Sequence, residues 1–428
     1  MEKILRVIKL VKYKFGRLGP GFITGAADDD PSGIATYSIV GAKFGYGLNW
    51  LALISLPMMI TIQEMCGRIG MVSGMGLAGA IKKFYSKKLL LLATILLMFA
   101  NVVNIGADLG AMAASLQMVI GLPFIFWLSI VTILTIVMEI FVPYDRYSRY
   151  LKWMGLSLLV YSLTAILTNQ NWIEVFIKTI IPTISLDMNY LMAIVGFIGT
   201  SISPYLFFWQ AAEEVEESIK EGKIQEFEET PEVVEGEIHH MRKDTAAGMF
   251  FSQLIAYFIM LTTASTLHTN GITDIETPQQ AALALRPLAG NFAYLLFAFG
   301  IVGIGLQSVP ILAGSVAYSI AESFGFKEGL AKKLTEAKAF YLVIGLSTLI
   351  GALMNLLGIN PIQALFYTAI INGIVAVPLI AIIIRIANDE RIVGKYRSGK
   401  WGNIIGWITF AFMGSAVTTM FVSILRTR

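Results

Sequence analysis

The sequence predicts an all-α membrane protein with eleven transmembrane helices. The first ten are expected to form a five-plus-five inverted repeat in which helices one and six are broken. Composition, the distribution of basic residues and two polar interruptions predict this fold. Of the 428 residues, 56% are hydrophobic and 14% are charged, which is too apolar for a soluble protein of this length. The single cysteine, Cys66, excludes an internal disulfide framework and a site built from several thiolates.

Apolar segments long enough to cross a bilayer recur along the chain. They cover residues 20–42, 47–67, 89–119, 123–143, 151–168, 189–211, 246–267, 292–320, 338–357, 362–386 and 403–424. We expect a single transmembrane domain over residues 1–428, with its parts at about 20–168 (repeat one), 189–386 (repeat two), 403–424 (an extra helix) and 213–244 (a cytoplasmic acidic loop, most simply a solvated helical linker). Residues 1–17 are basic and amphipathic, so no cleaved signal peptide is expected.

The basic residues predict the orientation. If the N-terminus is cytoplasmic, only five of the 32 Lys and Arg residues lie on the outer side, namely Lys43, Lys178, Arg286, Arg426 and Arg428. An even number of spans would destroy this asymmetry. We therefore expect a multi-pass protein of a plasma membrane or bacterial inner membrane, with an external C-terminus. Its surroundings are the lipid bilayer, and nucleic acid is not an expected partner.

The first span is interrupted by Asp28, Asp29 and Asp30, with Pro31 directly after them. If Arg17 lies at the cytoplasmic interface, a rise of ~1.5 Å per residue carries the helix ~20 Å to Asp30, near the middle of a ~30 Å hydrocarbon core. A carboxylate at that depth is costly unless a cation or water reaches it. Proline removes a backbone donor and disfavours helix at the preceding residue. The sequence therefore predicts a helix break with Asp30 at a functional site.

The sixth span carries a comparable interruption, Thr200-Ser201-Ile202-Ser203-Pro204-Tyr205. Ser203 lies ten residues from Glu213 at the predicted cytoplasmic end, which is ~15 Å of helix and again near the midplane. Spans one and six are five apart and run in opposite directions, as expected for inverted repeats that free backbone carbonyls at a substrate site. The alternative, two ordinary proline kinks, leaves the Asp30 carboxylate unexplained.

The candidate ligands at the two breaks share oxygen as their donor atom. They are the Asp30 carboxylate, the backbone carbonyls of Gly33 and Thr200, and the Ser203 hydroxyl. Oxygen ligands suit hard divalent cations such as Mg²⁺, Ca²⁺ or Mn²⁺. Asp28, Asp29 and Asp30 cannot all face one centre in helical geometry, so either the segment is extended or Asp28 and Asp29 serve the aqueous vestibule. We favour vestibule or gate roles for both. Asn372 of the tenth span could face the same cavity.

The third span holds a second deep carboxylate, Asp108. It could relay protons or brace a neighbouring helix through a hydrogen bond, and both roles stay open. Asn101 and Asn104 lie on or near the same helix face at helical spacing. Such amides are more typical of hydrogen bonds between helices than of ligands.

Several function classes compete with a metal transporter. The sequence has no metalloprotease, serine hydrolase or intramembrane aspartyl protease motif, so an enzyme is not expected. A channel would be expected to show a filter or a charged ring. A transporter of an organic cation or amino acid on the same fold is the main alternative, although Asp30 would repel a carboxylate substrate. A membrane sensor with residues 213–244 as its output is a further alternative.

Four motifs resemble the NRAMP family of divalent metal transporters: Gly19-Pro-Gly-Phe-Ile-Thr, Asp30-Pro31, Gly41-Ala-Lys-Phe-Gly-Tyr-Gly and Gly67-Arg-Ile-Gly-Met-Val-Ser-Gly. The likeness extends over the whole eleven-span layout. It implies the inverted-repeat fold shared with LeuT-like transporters and inward transport of Mn²⁺ or Fe²⁺, usually by symport with protons. No cofactor is implied beyond the transported ion.

The sequence departs from the usual family pattern at its functional positions. Ser203 stands in place of a methionine, Tyr205 in place of a histidine and Gly33 in place of an asparagine; Asp108 matches, but Asn101 and Ala111 replace the acidic residues that usually flank it. Loss of the thioether removes a ligand that favours transition metals, and the smaller side chains leave room for a partly hydrated ion. The chain is therefore similar to the divergent branch that includes magnesium transporters, whose proton coupling is weak or absent. Magnesium or manganese is expected as the substrate, with Asp108 and Tyr205 as candidate proton or helper residues.

Overall fold

The computed structural model describes residues 19–142 and 156–426. Within these ranges the chain is helical and contains no strand. The α-helices are, in chain order, α1 Pro20–Ala26, α2 Pro31–Phe44, α3 Trp50–Ser73, α4 Leu77–Phe84, α5 Lys87–Ile120, α6 Phe124–Phe141, α7 Leu159–Leu167, α8 Trp172–Ile180, α9 Met188–Ser201, α10 Pro204–Lys220, α11 Glu235–Thr266, α12 Pro278–Ala282, α13 Arg286–Ala289, α14 Ala293–Phe324, α15 Lys338–Met354, α16 Pro361–Ile386, α17 Glu390–Val393 and α18 Lys400–Arg426.

The helices agree with most of the predicted spans. In the described ranges, nine helical segments are long and apolar enough to cross a membrane, and they correspond to predicted spans two to four and six to eleven. The first span is divided by its break into helices of 7 and 14 residues. The fifth lies partly outside the described residues, and its helix α7 has nine residues. The all-helical membrane fold is confirmed, whereas the number of eleven spans stays a prediction.

Both predicted helix breaks are present in the structure. Four residues separate α1 from α2, and two separate α9 from α10. Pro31 and Pro204 are each the first residue of the second helix, where an N–H group would have no partner inside the helix. The preceding residues, Asp30 and Ser203, are extended, with ψ values of 172° and 133°. Each proline therefore starts a new helix at mid-span instead of kinking a continuous one.

Helix α1 is held against α11. The carboxylate of Asp244 in α11 accepts hydrogen bonds from Gly19 N at 3.0 Å and from Phe22 N at 2.9 Å. These N–H groups are among those that a helix leaves unpaired at its start. Gly25 packs directly on the backbone of Gly248, with no space between them for a side chain. Because an isolated helix of seven residues is marginal in water, the position of α1 depends on α11.

The predicted acidic loop at 213–244 is mostly helix. Helix α10 continues to Lys220 and α11 begins at Glu235, which leaves residues 221–234 between them. Glu216 is buried and accepts hydrogen bonds from Tyr318 Oη and Leu330 N, each at 2.8 Å. The expectation of a solvated linker is therefore wrong for its first part, because packing against α14 overrides the charge pattern.

The broken helices lie at the centre of the molecule. The segment Met188–Lys220 contains the second break, and 94% of the residues in its most apolar 18-residue stretch are buried. In α18 only 17% of the residues in the corresponding stretch are buried, so most of that helix is available to lipid. Both breaks are thus enclosed by other helices, and α18 lies at the periphery.

Candidate functional site

Asp30 lies at the first break with 1% of its surface exposed. As the N-cap of α2, its Oδ1 accepts hydrogen bonds from Gly33 N and Ser32 Oγ, both at 2.7 Å. Its Oδ2 accepts one from Asn104 Nδ2 in α5, also at 2.7 Å. Each carboxylate oxygen has about two acceptor positions. Oδ1 is therefore fully used, and Oδ2 is the oxygen that can still bind a cation.

Gly33 has a different role from the predicted carbonyl ligand. Because α2 begins at Pro31, Gly33 lies in its first turn, where the carbonyl points along the helix toward the amide four residues later. Its N–H group faces Asp30 instead. A Cβ at this position would lie 3.2 Å from Thr200 Oγ1. The absence of a side chain at Gly33 therefore allows the two breaks to approach each other closely. The freed carbonyl that we expected at Gly33 is not present, because this carbonyl lies inside the first turn of α2.

Thr200 and Ser203 meet at the second break and bond to each other. Ser203 Oγ donates to Thr200 O at 2.7 Å and to Gly199 O at 3.0 Å. The end of α9 leaves such carbonyls without helical partners, and the serine satisfies them. An ion that binds Thr200 O or Ser203 Oγ would share these oxygens with the existing hydrogen bonds. The Thr200 hydroxyl, which was not among the predicted ligands, faces Gly33.

Two tyrosines connect the breaks. Tyr205 Oη donates to Ala27 O in the first break at 3.0 Å, and its side chain is completely buried. Tyr37 of α2 has its hydroxyl 3.3 Å from Ser201 Oγ in α9. Each contact joins the first broken span to the sixth. Tyr205, the candidate helper residue, is therefore a bridge that uses one of the carbonyls freed by the first break.

Asp108 lies one helical turn from Asn104 on α5 and is completely buried. Its Oδ2 accepts a hydrogen bond from Ser308 Oγ of α14 at 3.0 Å, which is the contact that a bracing role requires. Its Oδ1 has no hydrogen-bond partner in the described part of the chain. Asp108 is thus bonded to α14 and keeps one oxygen available.

Asp28 and Asp29 face α11 instead of α5. The hydroxyl of Ser252 in α11 lies 2.6 Å from Asp28 Oδ2 and 3.2 Å from Asp29 Oδ1. One O–H group donates fully to only one acceptor at a time. Asp30 bonds to Asn104 on the other side of the break. The three carboxylates therefore do not share one centre, which agrees with the geometric expectation from the sequence.

Asn372 lies at the level of the second break. It precedes Gly373 in α16, whose backbone packs directly on Gly199 of α9. Its side chain is buried, and neither Oδ1 nor Nδ2 has a partner among residues 19–142 and 156–426. A buried amide without partners is costly unless water or a ligand reaches it. Asn372 therefore keeps its predicted place as a candidate vestibule or gate residue.

The two sides of the breaks differ in packing. On the predicted outer side, a small cavity of about 10 Å³, room for about one water molecule, lies among α2, α5, α14 and α16, with Ser38 and Ser115 as its polar lining. On the predicted cytoplasmic side, the Tyr205 bridge to Ala27 and the Asp244 cap hold α1 in place. The described cavity thus lies on the outer side, and the contacts that fix α1 lie on the cytoplasmic side.

The donor set restricts the chemistry of the site. Nowhere in the described ranges do three His, Cys, Asp or Glu side chains converge as metal ligands. Apart from Asp28 and Asp29, which face α11, the groups at the breaks are the Asp30 carboxylate together with neutral hydroxyl, carbonyl and amide oxygens. Such a set suits a hard cation that keeps part of its water shell.

Sequence reasoning missed the partners of the buried carboxylates. Ser252, Ser308 and Asn104 each donate to an aspartate from another helix. A helical serine commonly bonds to its own backbone, so the two serines carried no recognisable signal. Asn104 precedes Asp108 by four residues, which places both side chains on one face of α5. This spacing was the signal in the sequence that the face is polar.

Comparison with known proteins identifies relatives over nearly the whole chain. Residues 21–423 match the family described as Nramp, natural resistance-associated macrophage protein-like. A protein of Agrobacterium fabrum named divalent metal cation transporter MntH is 24% identical over 408 residues, which cover 91% of this chain and 83% of the relative. A protein of the same name from Aeromonas hydrophila is 23% identical over 418 residues, 94% of each chain.

Solved structures show the same fold with different substrates. The Eremococcus coleocola manganese transporter aligns with a TM-score of 0.74 at 17% identity, over 95% of this chain and 85% of that protein. MhsT in complex with L-phenylalanine aligns with a TM-score of 0.65 at 13% identity, over 95% and 98%. The fold is that of the LeuT-like transporters, and on its own it does not select a substrate.

Proposed function

This chain belongs to the Nramp family, and from that premise we propose that it transports a divalent metal cation, Mg²⁺ or Mn²⁺, across a cell membrane by alternating access. The observation that carries the proposal is Asp30 Oδ2, a buried carboxylate oxygen with an acceptor position left, at the contact of two broken helices. A carboxylate at this depth requires a compensating cation, proton or water. The relatives named divalent metal cation transporter support a cation as the substrate.

The ligand set supports Mg²⁺ or Mn²⁺ over softer metals. Asp30 would supply the charge, while Thr200 and Ser203 would supply neutral oxygens after their mutual hydrogen bond rearranges. Mg²⁺ usually keeps several waters and binds through one or two carboxylates. Ser203, at the position of the family's methionine, offers a hard hydroxyl in place of a soft thioether. The site therefore suits a partly hydrated hard ion.

Alternating access is supported by the difference in packing across the breaks. An ion would enter from the outer side after the small cavity beside α2 and α5 widens, meet Asp30 and leave when α1 moves from its closed position. Asp28 and Asp29, on the α11 side of the first break, would serve as a gate along the exit. With a cytoplasmic N-terminus, this direction is inward.

Asp108 is the candidate proton carrier in this scheme. Its Oδ1 has no protein partner within the described residues, so a proton or water can occupy it. A cation bound by Asp30 would repel a proton held nearby, because like charges in a medium of low dielectric interact strongly. Coupling, where present, would therefore operate through Asp108.

The test is metal uptake into liposomes that contain only this protein. We expect Mg²⁺ and Mn²⁺, followed with trapped metal dyes, to enter with the wild type but not with Asp30→Ala. Glu139→Gln is the matched control, since Glu139 is also a buried carboxyl group but bonds to Thr348 at 3.1 Å, away from the breaks. That variant should keep wild-type uptake.

The same assay separates the alternatives. Acidification of the vesicles together with Mn²⁺ entry would support proton symport, and Asp108→Asn should abolish it. A flat internal pH would support uncoupled transport. If correctly folded wild type moves none of Mg²⁺, Mn²⁺ or Ca²⁺, the metal assignment is wrong. A labelled polyamine and a labelled amino acid would then be tested in the same vesicles.

A further inference from the structure

We infer that Asn104 determines the selectivity of the transport site: its amide nitrogen positions Asp30, and its amide oxygen is a ligand of the transported cation. The inference rests on the proposed function, because it adds a residue to the same site. Asn104 Nδ2 donates to Asp30 Oδ2 at 2.7 Å. Since Oδ1 of Asp30 is already filled by Gly33 N and Ser32 Oγ, this bond sets the direction of the oxygen that is left for an ion.

The second observation is the state of the Asn104 oxygen. Asn104 is completely buried, and its Oδ1 has no hydrogen-bond partner in the part of the chain that the structure describes. A buried carbonyl-type oxygen without a partner costs free energy, and a bound cation would remove that cost. Amide oxygens of Asn are hard ligands that Ca²⁺ and similar cations accept.

The geometry places this oxygen within reach of an ion at Asp30. Nδ2 and Oδ1 are attached to the same amide carbon, so Asn104 Oδ1 lies within about 5 Å of Asp30 Oδ2. Two oxygens bound to one Mg²⁺ at about 2.1 Å each are at most about 4.2 Å apart. A small rotation of the amide therefore allows both oxygens to bind one ion while the helices stay in place.

Asn101 is a second buried asparagine of α5, but its partners differ from those of Asn104. It lies three residues earlier on α5, is equally buried and also has an Oδ1 without a partner in the described ranges. Its Nδ2, however, donates to Leu312 O at 3.0 Å and to Ser315 Oγ at 2.8 Å, both in α14. Asn101 therefore packs two helices together and provides a matched control for Asn104.

The test compares transport kinetics of Asn104→Leu, Asn104→Asp and Asn101→Leu in liposomes, with Mg²⁺ and Mn²⁺ as separate substrates. Asn104→Leu removes the oxygen and should raise KM for Mg²⁺ at least about tenfold, with a smaller increase for Mn²⁺ because Mg²⁺ demands near-ideal octahedral geometry and is more sensitive to a lost ligand. Asn104→Asp loses the N–H donor to Asp30 but keeps an oxygen ligand and adds a negative charge that attracts the ion. Its KM should therefore equal the wild-type value or be lower, with a smaller kcat because the ion leaves more slowly. Asn101→Leu should leave both KM values unchanged.

A purely structural role predicts another pattern. If Asn104→Leu leaves KM and the Mg²⁺ to Mn²⁺ preference unchanged, or if Asn101→Leu alters them equally, the inference is wrong. Uptake by the wild type and its loss in Asp30→Ala would in that case still support the proposed function. If Asn104→Leu does not fold, the test is Mn²⁺ binding to Asn104→Asp, measured by electron paramagnetic resonance. An affinity far below that of the wild type would overturn the inference, and an affinity equal to or above it would support the inference.

Discussion

The two broken helices share a backbone arrangement but satisfy their polar groups differently. In each break a proline begins the second helix and the residue before it is extended. The carboxylates of the first break accept local hydrogen bonds from Ser32 and Gly33 and further ones from other helices, Asn104 in α5 and Ser252 in α11. The second break is neutral, and its Ser203 hydroxyl bonds locally to the carbonyls of Thr200 and Gly199 at the end of α9.

In the proposed transporter, this difference would let the two breaks contribute unequally to cation binding. Proline and short side chains are enough to open a helix at mid-membrane, so both halves can do it. A buried charge additionally needs partners from the surrounding helices, and only the first break has recruited them. We therefore expect substitutions at the first break to alter ion binding and those at the second to alter mainly geometry.

The largest expected effect is the loss of charge at the first break. Asp30→Asn should lower Mg²⁺ and Mn²⁺ uptake at least about 100-fold, since removing one member of a buried charge pair costs roughly 3–5 kcal/mol. Ser203→Ala removes one neutral oxygen and should lower uptake about tenfold or less. Initial rates in liposomes, normalised to inserted protein, measure both. Equal losses would contradict the proposed asymmetry.

Close packing at the second break gives the next largest effect. A Cβ at Gly199 would clash with the backbone of Ala369 and Gly373, which cannot move aside, so Gly199→Ala should destabilise the protein by about 1–3 kcal/mol. At Gly33 the nearest atom is the Thr200 hydroxyl at 3.2 Å, which can rotate. Gly33→Ala should therefore change the melting temperature less than Gly199→Ala in detergent. If Gly33→Ala lowered the melting temperature more than Gly199→Ala, the more rigid contact would be at the first break.

The bridge between the breaks should have a moderate effect. Tyr205→Phe removes the bond to Ala27 O, worth about 0.5–1.5 kcal/mol, and should change KM for Mn²⁺ severalfold. Tyr257→Phe is the control, since it loses a comparable bond of 2.9 Å to Thr179 away from the breaks. A KM that responds equally to both substitutions would mean that the bridge has no special role.

The smallest effect is expected at the gate carboxylates. Asp28→Asn keeps an acceptor for the Ser252 hydroxyl but removes a charge, so KM for Mn²⁺ should change less than about threefold. Asp28 is completely buried, so any effect of its charge should change little between low and high salt. Kinetics at low and high ionic strength check this. A loss as large as that of Asp30→Asn would make Asp28 a ligand.

The breaks and Asp30 could be predicted from the sequence because they violate local expectations. Three carboxylates and a proline in an apolar run of about 20 residues have no ordinary structural explanation. The short helices α4 and α8 were not predicted, because segments of eight or nine residues cannot span a membrane. The freed carbonyl expected at Gly33 is not seen because α2 begins at Pro31, and the sequence does not determine whether the helix begins there or further along.

The contacts around the carboxylates could not be read from the sequence. Which serine or asparagine reaches an aspartate depends on which helices are neighbours, and the chain separates Asp28 from Ser252 by 224 positions. Hydrogen-bonding groups in a membrane helix also have several equally plausible partners. The sequence could therefore identify the charged group but not the residues that orient it.

The attachment of α1 to α11 limits the number of independently moving parts. Both the cap of α1 and its backbone contact, at Asp244 and Gly248, belong to a 32-residue helix. As long as these contacts hold, α1 contributes no degree of freedom of its own, and in the proposed transport cycle its opening would be a collective motion with α11. The activation barrier of that motion would then be set by how α11 packs against the rest of the protein, far from the seven residues of α1.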